Sequence, residues 1–200
     1  LSAVNRSNVT LPLPGTDKEA VKLNGHGAWH LMQPATGEAK DLLSVFLPLC
    51  RPVPEDGSPK VIGQLGQSLD GRIATVTGRS RFINGDDGIT HLHRIRAVSD
   101  AVIVGAGTAS TDNPRLTVRR TSGRNPVRVV IDRHHRVPDS HHLFTDGEAP
   151  TLRLVAGHYD KSRNPSLGSG VSEIPCLGDA NAEDPVDPKF ILQVLADLGL

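Results

Sequence analysis

The fold turns on DAVIVGAGTASTDNPRLTVR, residues 100–119. A short β-branched run, residues 101–104, predicts a strand that stops at Gly105-Ala106-Gly107-Thr108. Glycine there lets backbone N–H groups approach a phosphate, and a helix N-terminus is expected behind the turn. Asp112-Asn113-Pro114 turns the chain. Leu116-Thr117-Val118 is then expected to run extended to Arg119, whose planar guanidinium grips oxyanions with two prongs. Strand, glycine loop, turn and arginine suggest a pocket for a phosphorylated substrate beside a nucleotide cofactor. A short Gly-x-Gly also occurs in an ordinary strand–loop–strand connection, and the motif alone does not separate the two.

On either side the pattern continues. Residues 60–66 predict a strand, Ser68-Leu69-Asp70-Gly71 a tight turn, 73–76 a second strand and 78–85 a loop. Residues 86–98 predict a helix with Ile89, Leu92 and Ile95 on one stripe. Further strands are expected at 116–118, 127–131 and 152–156, and the Gly-, Ser- and Pro-rich run 164–187 is expected to be a surface loop. Asp187 is a good N-cap and Pro188 suits a first helical turn. Phe190, Ile191, Val194, Leu195 and Leu198 then recur at helical spacing. Strands alternating with helices imply an α/β fold, a mainly parallel central sheet flanked by helices, with ligands at the C-terminal strand ends. Residues 1–58, with scattered prolines, read as an N-terminal extension and linker carrying one helix from about 36 or 38 to 47. The chain starts without Met and no strand follows its last helix, so a fragment cut at both ends is expected, its C-terminal part missing.

Composition narrows the classes. Lys plus Arg equals Asp plus Glu at 22 each, so no overall field favours nucleic acid or anionic lipid. Aromatics are only 3 %, too few for base-stacking platforms. Cys50 and Cys176 form no CxxC pair, which argues against a disulfide framework. No run reaches the roughly 20 apolar residues of a membrane span. A soluble protein of a reducing compartment, the cytoplasm, is the expectation.

Nine histidines invite a metal hypothesis. His26 and His30 are spaced i, i+4, His91 and His93 fall on the predicted helix, and His134-His135 and His141-His142 fall in predicted loops. None has the carboxylate or cysteine spacing of a zinc site, so solvated histidines and no metal are expected. A zinc-deaminase site is absent as well: Pro175-Cys176 lacks its second Cys, with Asp179 in that place, and His26-Gly27-Ala28 lacks the Glu. Neither a G-x-S-x-G elbow nor a Walker pattern occurs. Asp132 ends a predicted strand and is followed by Arg133-His134-His135-Arg136. In dinucleotide folds an acid there holds a ribose hydroxyl, while basic residues accommodate a 2′-phosphate and favour NADPH. A solvated basic turn fits the same residues, and Arg96 alone is equally a surface residue of its helix.

Taken in order, SLDG at 68–71, TGRSRFING at 77–85, HLHRIRAVSDAVIVGAGTASTDNPRLTVR at 91–119 and NPVRVVID at 125–132 resemble a known family. They are similar to the pyrimidine reductase of riboflavin biosynthesis, the C-terminal domain of the bifunctional deaminase–reductase. Its fold is dihydrofolate-reductase-like. The resemblance runs from about Pro59 to Leu200, making 59–200 a reductase domain incomplete at its C-terminus. Residues 1–58 stand where a deaminase domain would precede it, so the chain resembles the free-standing reductase type.

The resemblance implies NADPH-dependent reduction of 5-amino-6-(5-phosphoribosylamino)uracil to its ribitylamino product. It implies a cofactor site of Gly66, Phe82, Gly105, Gly107, Thr108 and Asp112, with Arg133 at the adenosine end. Ser80, Arg96, Leu116 and Arg119 would hold the substrate, the two arginines taking its phosphate. Asp70 is a site residue with no role assigned. The partner is a small phosphoribosyl pyrimidine, without nucleic acid or membrane, and a homodimer is left open. Phe82 stands where the family often has Trp, and Arg133 where a small polar residue is common. The family's later strand with a Glu and a Gly-rich turn is missing. Two other readings are a reductase of the same fold acting on a pterin or another heterocycle, and a non-catalytic binding protein.

Overall fold

The computed structural model describes residues 9–12, 18–24, 28–50, 59–76, 83–165, 167–168, 170–179 and 185–200. Ser80 and Phe82, both expected site residues, lie outside the described residues, as does His26. The chain divides into two compact units, Leu1–Lys60 and Val61–Leu200.

The first unit holds three antiparallel strands, β1 (Val9–Pro12), β2 (Glu19–Leu23) and β3 (Trp29–Leu31), in that order. They are followed by helix α1 (Gly37–Phe46). The Thr36 hydroxyl accepts the Ala39 N–H at 3.2 Å, a true N-cap. The helix matches the sequence expectation, whereas the three-stranded sheet does not appear in it. Short strands interrupted by turns carry little alternation, and pairing between them supplies what local pattern lacks.

The second unit is built on a four-stranded parallel sheet in the order β4 (Ala101–Gly105), β5 (Val127–Ile131), β6 (Thr151–Val155) and β7 (Val171–Pro175). Helix α2 (Asp86–Val98) precedes β4, and α3 (Ala106–Asp112) follows it directly. The single turn α4 (His142–Thr145) lies between β5 and β6, and α5 (Pro188–Asp197) closes the chain. Asp187 accepts the Lys189 N–H at 2.9 Å, with Pro188 at the first helical position, as expected.

Alternation along β5 and β6 feeds two cores. On one face Val129, Leu152, Leu154 and Ile174 pack with Ile191, Val194 and Leu195 of α5. On the other face Val130 packs with Ala106 and Ala109 of α3, Leu116, Val137 and Leu143. The sheet is thus covered on both faces, as a parallel sheet requires.

Four sequence expectations are corrected. Residues 60–66 and 73–76 are not strands but exposed irregular chain and bends, with Val61, Leu65 and Val76 well exposed. Residues 116–118 are irregular because Leu116 has φ 55°, a left-handed conformation incompatible with a strand. The expected loop 164–187 contains β7, whose ladder with β6 runs from Thr151↔Val171 to Val155↔Pro175. The Ser68–Gly71 turn forms as expected: the Gly71 N–H reaches Ser68 O at 2.9 Å, and Gly71 has φ 78°.

Candidate functional site

Register places the glycine motif. Gly105 pairs with Ile131, so the start of α3 and the turn Asp132–Arg133 sit side by side where two parallel strands end. The motif read as a loop is in fact a strand running straight into a helix: Gly105 is the N-cap, and Ala106, Gly107 and Thr108 form the first turn. Gly105 has no side chain to cap those N–H groups. A Cβ added at Gly105 or Gly107 would meet nothing within 4 Å, so the backbone there is open to approach. This arrangement fits a phosphate-bearing cofactor. Asp112 is the exposed last residue of α3, and Asn113 ends it at φ 41°, its side chain accepting the His142 N–H at 2.8 Å.

Asp132 is fully buried and spent within the fold. It accepts the Arg136 and Val137 N–H groups at 2.8 and 3.1 Å and pairs with the Arg153 guanidinium at 2.8 Å. Burial pushes its carboxyl up, but these donors outweigh burial and the net shift is downward. The acid that sequence reading associated with a ribose therefore fastens the basic turn to β6. Arg133, the next residue, is half-buried at this strand end, while His134, His135 and Arg136 are exposed. His135 pairs with Glu173 at 2.9 Å.

Two buried arginines escaped the sequence reading. Arg128 of β5 donates to Asp146 at 2.8 Å, Thr151 Oγ1 at 2.9 Å, Ala149 O at 2.7 Å and Arg115 O at 3.3 Å. Arg153 of β6 binds Asp132, Asp139 and Val137 O, its guanidinium 4.8 Å from the Phe144 ring centre. The available signal was a lone arginine in the middle of each apolar strand, VRVVI and TLRLV.

Segment 113–119 runs from the end of α3 towards the start of β5 and is fastened along its length. Arg128 holds the Arg115 carbonyl, and the Asn125 side chain accepts the Val118 N–H at 2.8 Å. His93 Nδ1 accepts the Arg119 N–H at 3.0 Å. Gly123 approaches α2 so closely that an added Cβ would lie 2.6 Å from Ala97 Cβ. Leu116 buries its side chain in the core with α3.

This path brings Arg96 and Arg119 together. Arg96 Nη1 donates to Thr117 O at 3.3 Å, and Arg119 Nη1 donates to Thr117 O at 3.4 Å and to Thr117 Oγ1 at 2.7 Å. Arg96 Nε is buried without a hydrogen-bond partner. Burial, and then the Arg119 charge, lower the Arg96 pKa. The pair is tied to the end of the sheet where β5 begins, whereas Gly105 and Arg133 lie where the strands finish. His93, expected to be solvated, is buried, and His142 belongs to α4 rather than to a loop.

The remaining expected residues lie on the irregular stretch before α2. Gly66 lies against Asn84, where an added Cβ would come within 2.6 Å of three side-chain atoms. Asp70 is exposed. The Ser68 hydroxyl donates to it and Arg72 lies 3.3 Å away, the hydroxyl contributing most to its lowered pKa. Among the described residues, no helix is long and apolar enough to cross a membrane.

Known proteins resemble this chain in sequence and in fold. The chain is 33 % identical over 167 residues to the riboflavin biosynthesis protein RibD of Bacillus amyloliquefaciens, an alignment spanning 82 % of this chain and 42 % of that protein. It is 44 % identical over 145 residues to the 2,5-diamino-6-ribosylamino-4(3H)-pyrimidinone 5′-phosphate reductase of Methanothermobacter thermautotrophicus, spanning 71 % of this chain and 64 % of that one. The chain thus spans less than two thirds of the length of these curated relatives.

Among solved structures, it superimposes on a diaminohydroxyphosphoribosylaminopyrimidine deaminase/5-amino-6-(5-phosphoribosylamino)uracil reductase from Thermotoga maritima. The TM-score is 0.54 at 27 % identity, covering 78 % of this chain and 39 % of that one. The Saccharomyces cerevisiae riboflavin biosynthesis reductase shares the fold at TM-score 0.50 and 21 % identity, over 78 % of this chain and 66 % of that one. Residues 59–200 match the RibD C-terminal domain along their whole length, and the chain belongs to that family.

Proposed function

We propose that residues 59–200 form an NADPH-dependent reductase domain acting on 5-amino-6-(5-phosphoribosylamino)uracil or its close diamino analogue, with residues 1–58 as an N-terminal extension. The observation that carries this reading is the Arg96–Arg119 pair: two guanidiniums on one carbonyl, with no carboxylate among the described residues hydrogen-bonded to either. Such a pair is electrostatically incomplete and suits a phosphate dianion, which a pterin lacks.

When bound, NADPH supplies a hydride for C1 of the ring-opened sugar imine. The chain's own task is positioning. Arg96 and Arg119 grip the sugar phosphate, and Ser80 and the Leu116 backbone hold the rest of the substrate. The first turn of α3, with Gly105, Gly107 and Thr108, takes the cofactor phosphates, and Gly66, Phe82 and Asp112 complete its site. Arg133 stands at the 2′-phosphate. Asp70 is kept as a site residue of unassigned role. A cytoplasmic location follows from this metabolic reading.

The test is NADPH oxidation by the intact protein, followed at 340 nm, with the phosphoribosylaminouracil and with dihydropterin. Turnover with the phosphosugar alone is expected. Turnover with the pterin alone would overturn the proposal.

A further inference from the structure

His93 is the one buried residue of α2, on a helix whose apolar positions Ile89, Leu92 and Ile95 are only half-buried. It lies three residues before Arg96, so both side chains leave one face of the helix towards segment 117–119. We propose that His93 is a positioning residue for the basic pair: a neutral imbedded imidazole whose Nδ1 takes the Arg119 N–H and so fixes the direction from which Arg119 reaches an anionic group. The inference rests on the phosphate role given above to Arg96 and Arg119.

Arg119 ends a segment held at Arg115 by Arg128 and at Val118 by Asn125. Its own N–H is anchored shortly before the chain reaches the exposed residues 122–124. An anchor at the backbone nitrogen sets where Cβ points, and the guanidinium then needs only the Thr117 contacts to be placed. Nδ1 can accept only when unprotonated, which puts the ring proton on Nε2. The surroundings enforce that state. Burial first, then the charges of Arg96, Arg119 and Arg120, push the His93 pKa down to about 4, against a smaller upward pull from the Thr117 backbone. Arg120 is itself paired with Asp86 at 2.8 Å.

The experiment compares His93→Leu, which deletes the acceptor, with His93→Asn, whose Oδ1 stands in for Nδ1. Binding of ribose 5-phosphate is measured by calorimetry and protection of the Arg119 amide by hydrogen-exchange NMR, both on the intact protein. His93→Leu is expected to weaken binding about tenfold, the size of one lost hydrogen bond, and to expose the amide. His93→Asn is expected to restore both, with binding within about threefold of the parent. Parental binding and a protected amide in His93→Leu would overturn the inference, as would a well-folded His93→Asn no better than His93→Leu. Arg119→Ala separates the two readings. If it binds ribose 5-phosphate like the parent while His93→Leu still exposes the amide, the phosphate assignment falls and the positioning stands.

Discussion

Arg96 and Arg119 direct their Nη1 atoms at the same acceptor, the Thr117 carbonyl, at 3.3 and 3.4 Å. One neutral oxygen cannot balance two cations, and the repulsion is already felt in the lowered Arg96 pKa, where it adds to burial. An arriving dianion would relieve it. Replacing either arginine by Ala is expected to raise the KM for the phosphosugar by ten- to hundredfold, about 1.5–3 kcal/mol for a charge-assisted contact. The cofactor KM should stay within about twofold, since Gly105 and Arg133 lie at the other end of the strands. Steady-state kinetics of both variants check this. A change confined to the cofactor KM would reverse the two subsites.

Asp132 and Arg153 form a fully enclosed pair between neighbouring strands. Truncating Asp132 to Ala leaves Arg153 with the exposed Asp139 as its close carboxylate partner and takes the acceptor from two backbone N–H groups, at a cost of about 3 kcal/mol. Adding Arg153→Leu should recover part of that loss, because the buried charge goes with it. Urea melts of the single and double variants measure the difference. If Asp132→Ala keeps its stability and loses only cofactor affinity, the carboxylate is a ligand and not a fastening.

What could be read from the sequence followed from how local the deciding forces were. Residues 86–98, 101–104, 127–131 and the Asp187-Pro188 start carry their own periodicity or caps, and each element forms there. Leu116-Thr117-Val118 looks like a strand, yet its neighbours' side chains decide otherwise. Asn125 and His93 take the N–H groups of Val118 and Arg119 that a ladder would have used. In β7 the reverse holds: VSEIP has weak alternation, and the β6 backbone pairs it into the sheet. The Arg96–Arg119 pair was legible because a family motif carries both residues. His93 was not, since burial of a polar side chain on an otherwise half-buried helix depends on what packs over it. Arg128 and Arg153 were hidden for the same reason, their partners lying 13 to 23 residues away in sequence.

Arg133 follows the buried Asp132 directly, so its backbone is placed by the same fastening that holds the turn. On the proposed reading it serves the 2′-phosphate. Arg133→Ala should then weaken NADPH binding by about tenfold or more and leave NADH binding unchanged. Fluorescence titration with both cofactors tests it. Equal losses for the two would mean that the arginine supports the fold of the turn and does not read the phosphate.

Acid should act on this domain in two separate windows. His93 has a folded pKa of about 4, against about 6.5 for a free imidazole, because burial and three arginines disfavour its charge. The folded state therefore declines a proton that the unfolded chain accepts, and stability falls as pH drops between these values. The cost is nil well above pH 6.5 and grows to about 3 kcal/mol near pH 4. Asp132 and Asp146 behave differently. Burial pushes both carboxyls up, but their hydrogen bonds win and both pKa values are lowered. Their contribution is present above the unfolded carboxylate value of about 3.9 and is lost only as pH falls through the folded values. His93→Asn has no imidazole to titrate, so the slope between about pH 6.5 and 4 should flatten while the steeper loss below it remains. Urea unfolding at half-unit steps from about pH 7.5 down to about pH 2 resolves the two windows. An identical slope in parent and variant would show that His93 accepts its proton in the folded state as readily as in the unfolded one, and that the Arg119 N–H is not what its ring serves.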